Sequence, residues 1–593
     1  MRRGQVVLCL AWSLACGAGA QTASGTGAAP HVQFDAESAG STTPSGTGTG
    51  MHGGMGMHGG MGMHGGMGMH GGMAAADGSG FRSSQFVGSS VCAGCHDGLR
   101  DAAGNDVSLR RDWAPTMMAN ATRDPFWRAK VRSELSRAPN LSSEINEECT
   151  RCHAPMANVE AHAASAPVRV FEGGFLDPSH ANHAAALDAV SCTLCHRIAD
   201  DPGLGKPESF TGGYVLSESR ALFGQYRDVF SMPMQHMVGF TPTYGPHIQR
   251  SELCATCHNL RTPVVDAAGR IVRSGPTQGF PEQMPYTEWL ASDYAGTRSC
   301  QDCHMGRTDG VVLATRPPRL ATVRDGFALH GFVGGNRLML ELLQANRADL
   351  EIASDVDFAP ILRKTDALLA SAAAIELASV QVRDGMLQAQ VRVRNLSGHK
   401  LPTSFPSRRV FVHFSVSDSQ ERVLFESGKV LADGSIAGDD AQREPGVRFE
   451  PHHDTIDSAD QVQIYESVMG DLDGHVTYTL LRAAAYLKDN RVLPAGADKA
   501  ALAPEIAVTG DARDDANFSG GADLVTYRVG GIAAGAQLRV RAELNYQPLA
   551  APFAADLFRD THLEAQQFRP MFERAPQKTF TLAAVTADLT ASR

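Results

Sequence analysis

The sequence predicts an α+β protein whose two parts follow one another along the chain. The first part contains five copies of the pentapeptide Cys-x-x-Cys-His, set in sequence with helix and loop character between Cys92 and His304. The second part begins near residue 376, where apolar and polar residues alternate with the period of two that β-strands show. We therefore expect a mainly helix/loop domain organised around the motifs, followed by an antiparallel β-sandwich-like domain.

The five pentapeptides have the pattern of c-type haem attachment sites. In such a site two thiols bind the haem vinyl groups as thioethers, and the adjacent histidine is the proximal iron ligand. The chain has 12 cysteines, and only Cys9 and Cys16 lie outside the motifs. A redox dithiol or half of a zinc site is the alternative for one such motif, but five copies that each end in histidine favour five covalently attached haem c groups. The predicted attachment residues are Cys92, Cys95, Cys149, Cys152, Cys192, Cys195, Cys254, Cys257, Cys300 and Cys303, and the predicted proximal ligands are His96, His153, His196, His258 and His304.

Residues 1–20 have the pattern of a signal peptide. Two arginines precede an apolar run over residues 6–15, and Ala18-x-Ala20 suits a signal peptidase. The run is shorter than the about 20 apolar residues that span a bilayer. A lipoprotein attached through Cys16 is the weaker alternative, because Ser13 stands where a bulky aliphatic residue is usual. We expect a periplasmic or cell-surface protein without a transmembrane segment in the mature chain.

Residues 21–80 are rich in Gly, Ala, Ser and Thr and predict a disordered tether. Within it, Met-His-Gly-Gly-Met-Gly repeats over residues 51–68, and a truncated copy follows at 69–73. Thioether and imidazole groups suit copper, so the repeat predicts weak copper binding. A low-complexity spacer is the alternative.

The rest of the chain divides by pattern into three segments. Residues 81–350 hold the motifs and are predicted to form the pentahaem domain, with helices near 124–136 and 336–348. Residues 351–375 are predicted to form a helical linker, and residues 376–593 the β-sandwich-like domain. Alternation is clearest at 387–393, after the turn Asp384-Gly385, and at 538–544. Further strands are predicted at 410–416, 476–481 and 579–585.

The net charge of −11 excludes some partners. An acidic, exported chain is a poor ligand for nucleic acid. It would favour basic surfaces on a redox partner, although the charge is equally well explained by solubility.

Residues 86–335 resemble bacterial multihaem c-type cytochromes related to the cytochrome c554 family. The matching stretches are Phe86-Val-Gly-Ser-Ser-Val-Cys-Ala-Gly-Cys-His96, Asp188-Ala-Val-Ser-Cys-Thr-Leu-Cys-His196 and Ser299-Cys-Gln-Asp-Cys-His-Met305. In that family a Trp-x-x-Ser-x-His-Ala segment often supplies a distal histidine. The two similar segments here have Met118 and Tyr294 in that place. The resemblance makes Met118 a candidate iron ligand, and Tyr294 is expected to be a packing residue because tyrosine rarely ligates haem.

Four histidines are candidate distal ligands. His183 and His247 precede the third and fourth motifs and resemble distal positions of the family. His330 opens the glycine-rich segment His-Gly-Phe-Val-Gly-Gly, which lets the backbone approach a flat macrocycle. His399 lies in a proline-stiffened loop similar to one in multihaem cytochromes with a β-rich C-terminal domain. We expect it to fasten the two domains together, with Arg408 and Arg409 of the same loop facing haem propionates; an ordinary rigid strand connection is the alternative.

Three functions are compatible with these features. The first is electron transfer through a chain of closely spaced haems, between partners such as a quinol-linked membrane cytochrome and a terminal reductase or extracellular acceptor. The alternative is an oxidoreductase acting on a small nitrogen or sulfur compound at a five-coordinate haem. A third hypothesis gives the main role to the β domain, as a binding or assembly module. Electron transfer is favoured over catalysis, and the sequence leaves the presence of an open iron undecided.

Overall fold

The computed structural model describes residues 80–318 and 321–592. The predicted signal peptide, almost all of the predicted tether and the Met-His-Gly repeat lie outside the described residues, so these predictions stay untested. None of the described helices is long and apolar enough to cross a membrane.

The motif-containing part consists of short helices joined by loops. One of its two longest helices, Pro125–Arg137, starts where the sequence predicts, because Asp124 caps it by accepting hydrogen bonds from the N–H groups of Phe126 and Trp127, and Pro125 occupies its first position. Asn336 caps a second predicted helix in the same manner. The helices are α1 (Ser89–His96), α2 (Leu109–Trp113), α3 (Pro125–Arg137), α4 (Ser142–His153), α5 (Pro155–Ala163), α6 (His183–Leu187), α7 (Cys192–Cys195), α8 (Met232–Val238), α9 (Ser251–His258), α10 (Pro285–Leu290), α11 (Cys300–His304), α12 (Arg337–Ala345) and α13 (Ala359–Ser371).

Short strands in this part pair two by two, as β1 with β2, β3 with β6, β4 with β5, β7 with β10 and β8 with β9. Of these pairs, β1 and β2 are parallel and the others antiparallel. The strands are β1 (Ala221–Gly224), β2 (Thr241–Tyr244), β3 (Leu260–Thr262), β4 (Val264–Val265), β5 (Ile271–Arg273), β6 (Phe280–Gln283), β7 (Arg307–Thr308), β8 (Val311–Val312), β9 (Val323–Arg324) and β10 (Phe327–Ala328).

The C-terminal part contains the long strands. Its strands and helices are β11 (Ala373–Arg383), β12 (Met386–Asn395), β13 (Arg409–Asp418), β14 (Val423–Ser427), α14 (Asp440–Arg443), β15 (Thr455–Ile456), β16 (Ile464–Gly470), β17 (Ala485–Asp489), β18 (Ala522–Val529), β19 (Gln537–Gln547), α15 (Ala551–Leu557), α16 (Leu563–Arg574) and β20 (Phe580–Thr590). Short 3-10 helices across the described chain are Pro139–Leu141, Pro207–Ser209, Pro246–Gln249, Leu480–Arg482, Pro504–Ile506 and Asp511–Arg513.

The long strands form two sheets. One has the order β11-β12-β18-β15, and the other β17-β16-β13-β19-β20 with β14 also on β13. The rings of Phe414 on β13 and Tyr527 on β18 stack with centroids 3.9 Å apart, so the sheets pack face to face there. Two facing sheets are what the sandwich-like prediction requires, but β15 pairs with β18 in parallel, so the pairing is not purely antiparallel.

The alternation of apolar and polar residues along β12 arises, as expected, because one face of the strand is buried. Leu387, Ala389, Val391 and Val393 are all buried, and the residues between them face outward or are half-buried. The turn before β12 also forms as predicted: Asp384 and Gly385 have φ values of 50° and 72°, the left-handed region that such a tight hairpin turn requires.

The strand predicted at 476–481 is wrong. Leu480 begins a 3-10 helix instead. The reason is a contact with the motif-containing part: the Glu134 carboxylate on α3 accepts a hydrogen bond of 2.7 Å from the Leu480 N–H. A backbone donor used in this way is not available to a sheet.

The two parts of the chain also make ion pairs through α3. Arg132 donates two hydrogen bonds to Glu564 on α16, of 3.1 and 3.0 Å. Arg137, at the end of α3, pairs with Asp556 and Asp560. The motif-containing part therefore shares an extended contact surface with the β part.

Candidate functional site

Each Cys-x-x-Cys-His motif lies in the last turn of a helix. Helices α1, α4, α9 and α11 end on the motif histidine, and α7 ends one residue before it. Residues three and four apart share one face of a helix. The helical backbone therefore presents two thiols and one imidazole on the same side, as one covalently held haem requires.

The motifs are clustered, and thiols of different motifs are neighbours. The Cys192 thiol raises the pKa of Cys92, and the Cys257 thiol raises that of Cys152, so the first motif is next to the third and the second is next to the fourth. The Cys300 thiol likewise raises the pKa of Cys254, which places the fifth motif next to the fourth. The fourth motif is thus next to both the second and the fifth.

The third and fourth motifs are also close to each other. Burial, and after it the Cys257 thiol, raises the pKa of Cys195 to about 12. The five motifs therefore form one continuous group, in which the fourth has neighbours on three sides.

Four of the five motif histidines are oriented by a backbone carbonyl. Nδ1 lies 2.7 Å from the Leu313 carbonyl oxygen in His96, 2.5 Å from that of Phe223 in His196, and 2.6 Å from that of Val333 in His304. His153 has a similar contact of 3.1 Å with Ala121. A carbonyl only accepts, so Nδ1 carries the proton and Nε2 keeps its lone pair. This arrangement is typical of histidines that bind a metal.

His330 lies opposite the third motif. Its ring is 6.3 Å from the His196 ring, measured between centroids, and the planes are 19° apart. Its Nδ1 also contacts a carbonyl, that of Ala328, at 2.9 Å. With metal–nitrogen bonds of about 2 Å on each side, two coaxial imidazoles have centroids roughly 6 Å apart. The pair therefore fits two axial ligands of one iron.

His399 has the same relation to the fifth motif. Its ring centroid is 6.4 Å from that of His304, with planes 14° apart. Its Nδ1 contacts the Lys400 carbonyl oxygen at 3.0 Å. A histidine from the loop between β12 and β13 thus comes within ligand range of a motif from the other part of the chain.

His183 and His247 are not paired in this way with a motif histidine in the described structure. The Nδ1 of His183 contacts the Phe175 carbonyl oxygen at 2.9 Å, and its Nε2 lies 3.3 Å from the Glu351 carboxylate. In His247 the other ring nitrogen contacts a carbonyl. Its Nε2 contacts the Ile198 carbonyl oxygen at 2.8 Å, and its buried Nδ1 has no hydrogen-bond partner within residues 80–318 and 321–592. His247 therefore keeps its Nδ1 as a nitrogen suited to a ligand, whereas both nitrogens of His183 face acceptors. Both ligand assignments stay predictions.

Met118 and Tyr294 occupy different environments. Met118 is half-buried, and its carbonyl oxygen accepts a hydrogen bond from the Val190 N–H at 3.3 Å. Its role as a ligand stays a prediction. Tyr294 packs against the His399 loop: its hydroxyl lies 3.5 Å from the Leu396 carbonyl oxygen, and a Cβ at Gly398 would meet its ring at 3.1 Å.

The His399 loop is anchored by buried charges that the sequence does not reveal. Glu288 on α10 accepts hydrogen bonds from the Lys400 N–H at 3.1 Å, from the Arg491 guanidinium at 2.9 Å and from the Thr403 hydroxyl. Asp489 accepts from Lys400 Nζ and from Arg491, each at 2.7 Å. We refer to Glu288, Lys400, Asp489 and Arg491 as the buried ion network.

The buried ion network is electrostatically balanced, with two acids and two bases. Burial opposes the ionisation of Asp489, but Arg491 and Lys400 together outweigh it and hold the pKa of Asp489 below its ordinary value. All four side chains are almost inaccessible to solvent. The network therefore fixes the backbone beside His399.

The expectation that Arg409 faces a haem propionate is wrong. Arg409 is buried inside the β part, where it pairs with Asp439 at 2.7 Å and donates to Gln547 at 2.7 Å. Position 409 opens a strand, and its side chain points into the sheet packing. Arg408, which is partly exposed, donates to the Thr403 carbonyl oxygen within the same loop.

A second group of titratable side chains lies within the β part. His452 Nδ1 accepts hydrogen bonds from the amides of Gln463 and Asn490, at 2.8 and 3.1 Å. Its proton is therefore on Nε2, which donates to Asp515 at 3.0 Å. Burial raises the pKa of the neighbouring Asp523 to about 7. Both nitrogens of His452 are therefore engaged within this hydrogen-bond network. No histidine lone pair is left for a metal.

A buried acid lies beside the second motif. Burial, and after it Glu134, raises the pKa of Glu282 to about 8, and its Oε2 has no hydrogen-bond partner within the described chain. The neighbouring Glu134 is paired with Lys130 at 2.8 Å. Glu282 is therefore protonated at neutral pH in the folded protein.

Glu282→Gln is expected to change the pH dependence of stability. The folded pKa of Glu282 is about 8, and the ordinary value is 4.5. Below pH about 4.5 the carboxyl is protonated in both states, and between about 4.5 and 8 only the unfolded state releases its proton, so the wild type loses stability as pH rises through this window. Thermal unfolding should show a Tm difference in favour of Glu282→Gln that grows from pH 5 to pH 8. The exposed Glu218→Gln should give a constant difference, and a constant difference for Glu282→Gln as well would contradict the assignment.

Comparisons with known proteins give one structural relative. No family model matches the chain, and no curated protein sequence matches it. Among solved structures, it is similar to a penta-heme cytochrome c552 from Thermochromatium tepidum, with a TM-score of 0.50, 17% sequence identity, and coverage of 85% of this chain and 99% of that one. At this identity the similarity concerns the fold. The chain thus has the fold of a multihaem c-type cytochrome.

Proposed function

We propose that the protein is an exported pentahaem c-type cytochrome that transfers electrons between redox partners, within the wider group that includes the cytochrome c554 family. The observation that carries this proposal is the pairing of His330 with His196 and of His399 with His304, with parallel rings 6.3 and 6.4 Å apart. Bound haem supplies reversible one-electron exchange at iron. The residues of this chain attach the groups, fill axial positions and keep neighbouring groups close.

The ten motif cysteines attach five haem c groups. The five motif histidines are the proximal ligands, and His330 and His399 are the distal ligands for the third and fifth motifs. His183, His247 and Met118 are the candidates for the other three motifs, in an order that the geometry leaves open. A methionine ligand would raise the reduction potential of its haem.

The contacts between motifs favour electron transfer over catalysis. Thiols of the first and third motifs, the second and fourth, and the fourth and fifth are near enough to shift one another's pKa. Groups attached through such neighbouring residues would be close enough to exchange electrons in sequence. At the third and fifth motifs two histidines would hold the iron, which would leave no position there for a substrate and would suit these motifs to electron relay.

The alternative, a multihaem oxidoreductase for a small nitrogen or sulfur compound, is favoured by one observation. The His153 ring of the second motif stacks on Trp127, with centroids 4.8 Å apart and planes 9° apart. No other histidine pairs with His153 in the described part of the chain. His96 and His258 also lack a paired histidine there, so an iron at the second motif is one of three candidates for an open position.

Spectroscopy of the purified protein distinguishes the two functions. We expect a mass increase of five haem c groups, and ferric EPR signals that are all low-spin, with no absorbance change on adding CO, cyanide or nitrite. A high-spin ferric signal together with binding of one of these ligands would favour the oxidoreductase. Fewer than five haems per chain would overturn the pentahaem assignment.

The proposed location and redox partners agree with an electron-transfer role for the haem groups. The predicted signal peptide and the haem motifs agree with a periplasmic or cell-surface location. Electrons would enter from a quinol-linked membrane cytochrome and leave to a terminal reductase or an extracellular acceptor. The net charge of −11 favours partners with basic docking surfaces and salt-sensitive association.

A further inference from the structure

Helix α8 exposes an unusual set of side chains. Its sequence is Met-Pro-Met-Gln-His-Met-Val, and Met232 and Met237 are 53% and 65% exposed. His236 between them is also exposed. Two long thioether side chains and an imidazole thus reach solvent from one seven-residue helix.

Two of the three donors share one face of the helix. Met232 and His236 are four residues apart and lie on that face, whereas Met237 directly follows His236 and starts from the neighbouring face, so it reaches the pair only through its own long side chain. The His236 ring has no hydrogen bond or ion pair within residues 80–318 and 321–592, so both of its nitrogens face solvent unengaged. The long, unbranched methionine side chains adapt readily to a shared partner.

The donor set selects the ligand. Thioethers are soft donors that prefer Cu(I), and imidazole also binds copper. Helix α8 contains no carboxylate or thiolate, so the site is uncharged and does not suit the hard cations Mg²⁺ and Ca²⁺. We propose that Met232, His236 and Met237 form a surface site for a soft monovalent metal ion, Cu(I) or its analogue Ag(I).

The site is connected to other parts of the chain on both sides. The Arg82 guanidinium donates a hydrogen bond of 3.3 Å to the Met237 carbonyl oxygen, and the Met-His-Gly repeat, with the same donor types, ends nine residues before Arg82 in the sequence. On its other side, α8 leads into β2, which pairs with β1, where the Phe223 carbonyl orients His196. The site is therefore linked to the third motif through β2 and β1.

Silver binding tests the site without redox complications. The full haem-loaded chain is used, with the methionines and histidines of residues 51–73 replaced by Leu and Gln so that the repeat does not mask the result. We expect this protein to bind one Ag(I) in competition with a chromogenic chelator, and the triple variant Met232→Leu, His236→Gln, Met237→Leu to bind it at least tenfold more weakly. In ¹³C-methyl-methionine NMR, Ag(I) should shift two methyl signals that are absent from the triple variant.

A matched control uses donors of the same kind elsewhere on the surface. Met386 is 44% exposed, and the His475 side chain is 77% exposed. The double variant Met386→Leu, His475→Gln should bind Ag(I) as the background protein does. Equal Ag(I) affinity and stoichiometry in the triple variant would overturn the site, as would methyl shifts confined to other methionines. An unchanged haem absorption spectrum shows that each variant is folded.

Discussion

His399→Ala is expected to convert one of the five haems from low-spin to high-spin while the other four keep their spectra. The ring of His399 lies 6.4 Å from that of His304, and its Nδ1 is held by the Lys400 carbonyl, so its Nε2 is the free nitrogen. Alanine removes this nitrogen from the fifth motif and leaves the ligands of the other four motifs unchanged. Ferric EPR and resonance Raman of the purified variant should show one high-spin haem per chain, and the midpoint potential of that haem should change with its ligand.

Two companion variants make the result specific. His330→Ala should produce the same spin change at the third motif, because its ring is paired with His196 instead. His475→Ala, with an exposed side chain in a surface turn of the β part, should leave all five signals unchanged. Five unchanged low-spin signals in His399→Ala would show that His399 only packs at the interface.

The motifs could be predicted from the sequence because their chemistry is local. Cys-x-x-Cys-His contains the two thiols and the proximal ligand within one helical turn, and no distant residue is needed to recognise it. The alternation in β12 was equally informative, because burial of one face alone produces it. The strand predicted at 476–481 failed for the opposite reason: a long-range acceptor, Glu134, takes the backbone N–H of Leu480.

Distal ligands depend on contacts between distant segments, so the sequence could only nominate them. The glycine-rich segment at His330 and the proline-stiffened loop at His399 nominated both residues, and both lie opposite motif histidines. Similar reasoning nominated His183 and His247, which are not paired in this way in the described part of the chain. The informative signal is the parallel pairing of each ring with a motif histidine, which comes from the fold. Glu288, Asp489 and Arg491 had no signal at all, because a charged residue is normally expected at the surface.

Glu288→Ala is expected to destabilise the haem-loaded protein strongly. It removes the acceptor of the Arg491 guanidinium, the Lys400 N–H and the Thr403 hydroxyl at once. Breaking a buried ion pair from one side leaves an uncompensated charge and costs about 3–5 kcal/mol. Denaturant unfolding followed by haem absorbance should therefore show a large decrease in the free energy of unfolding.

The matched control is an ion pair at the surface. Arg539 and Asp588 pair at 2.9 Å with side chains 57% and 65% exposed, and exposed pairs contribute little to stability because solvent screens them. Asp588→Ala should therefore change stability little. If Glu288→Ala lowers the free energy of unfolding no more than Asp588→Ala does, the buried ion network contributes no more than a surface pair.

The buried ion network could position His399 or could simply attach the β part, and spectroscopy of Glu288→Ala distinguishes these two roles. Glu288 holds the backbone N–H of Lys400, the residue after His399, whereas Asp489 holds only the Lys400 and Arg491 side chains and the Arg491 N–H. If the network positions the ligand, Glu288→Ala should give the high-spin signal of His399→Ala in part of the molecules, and Asp489→Asn should give less of it at a similar loss of stability. Because a general loosening would affect both variants equally, an equal high-spin fraction would assign the network to stability alone. The expected inequality would mean that α10 and the β part together set the coordination of the fifth motif.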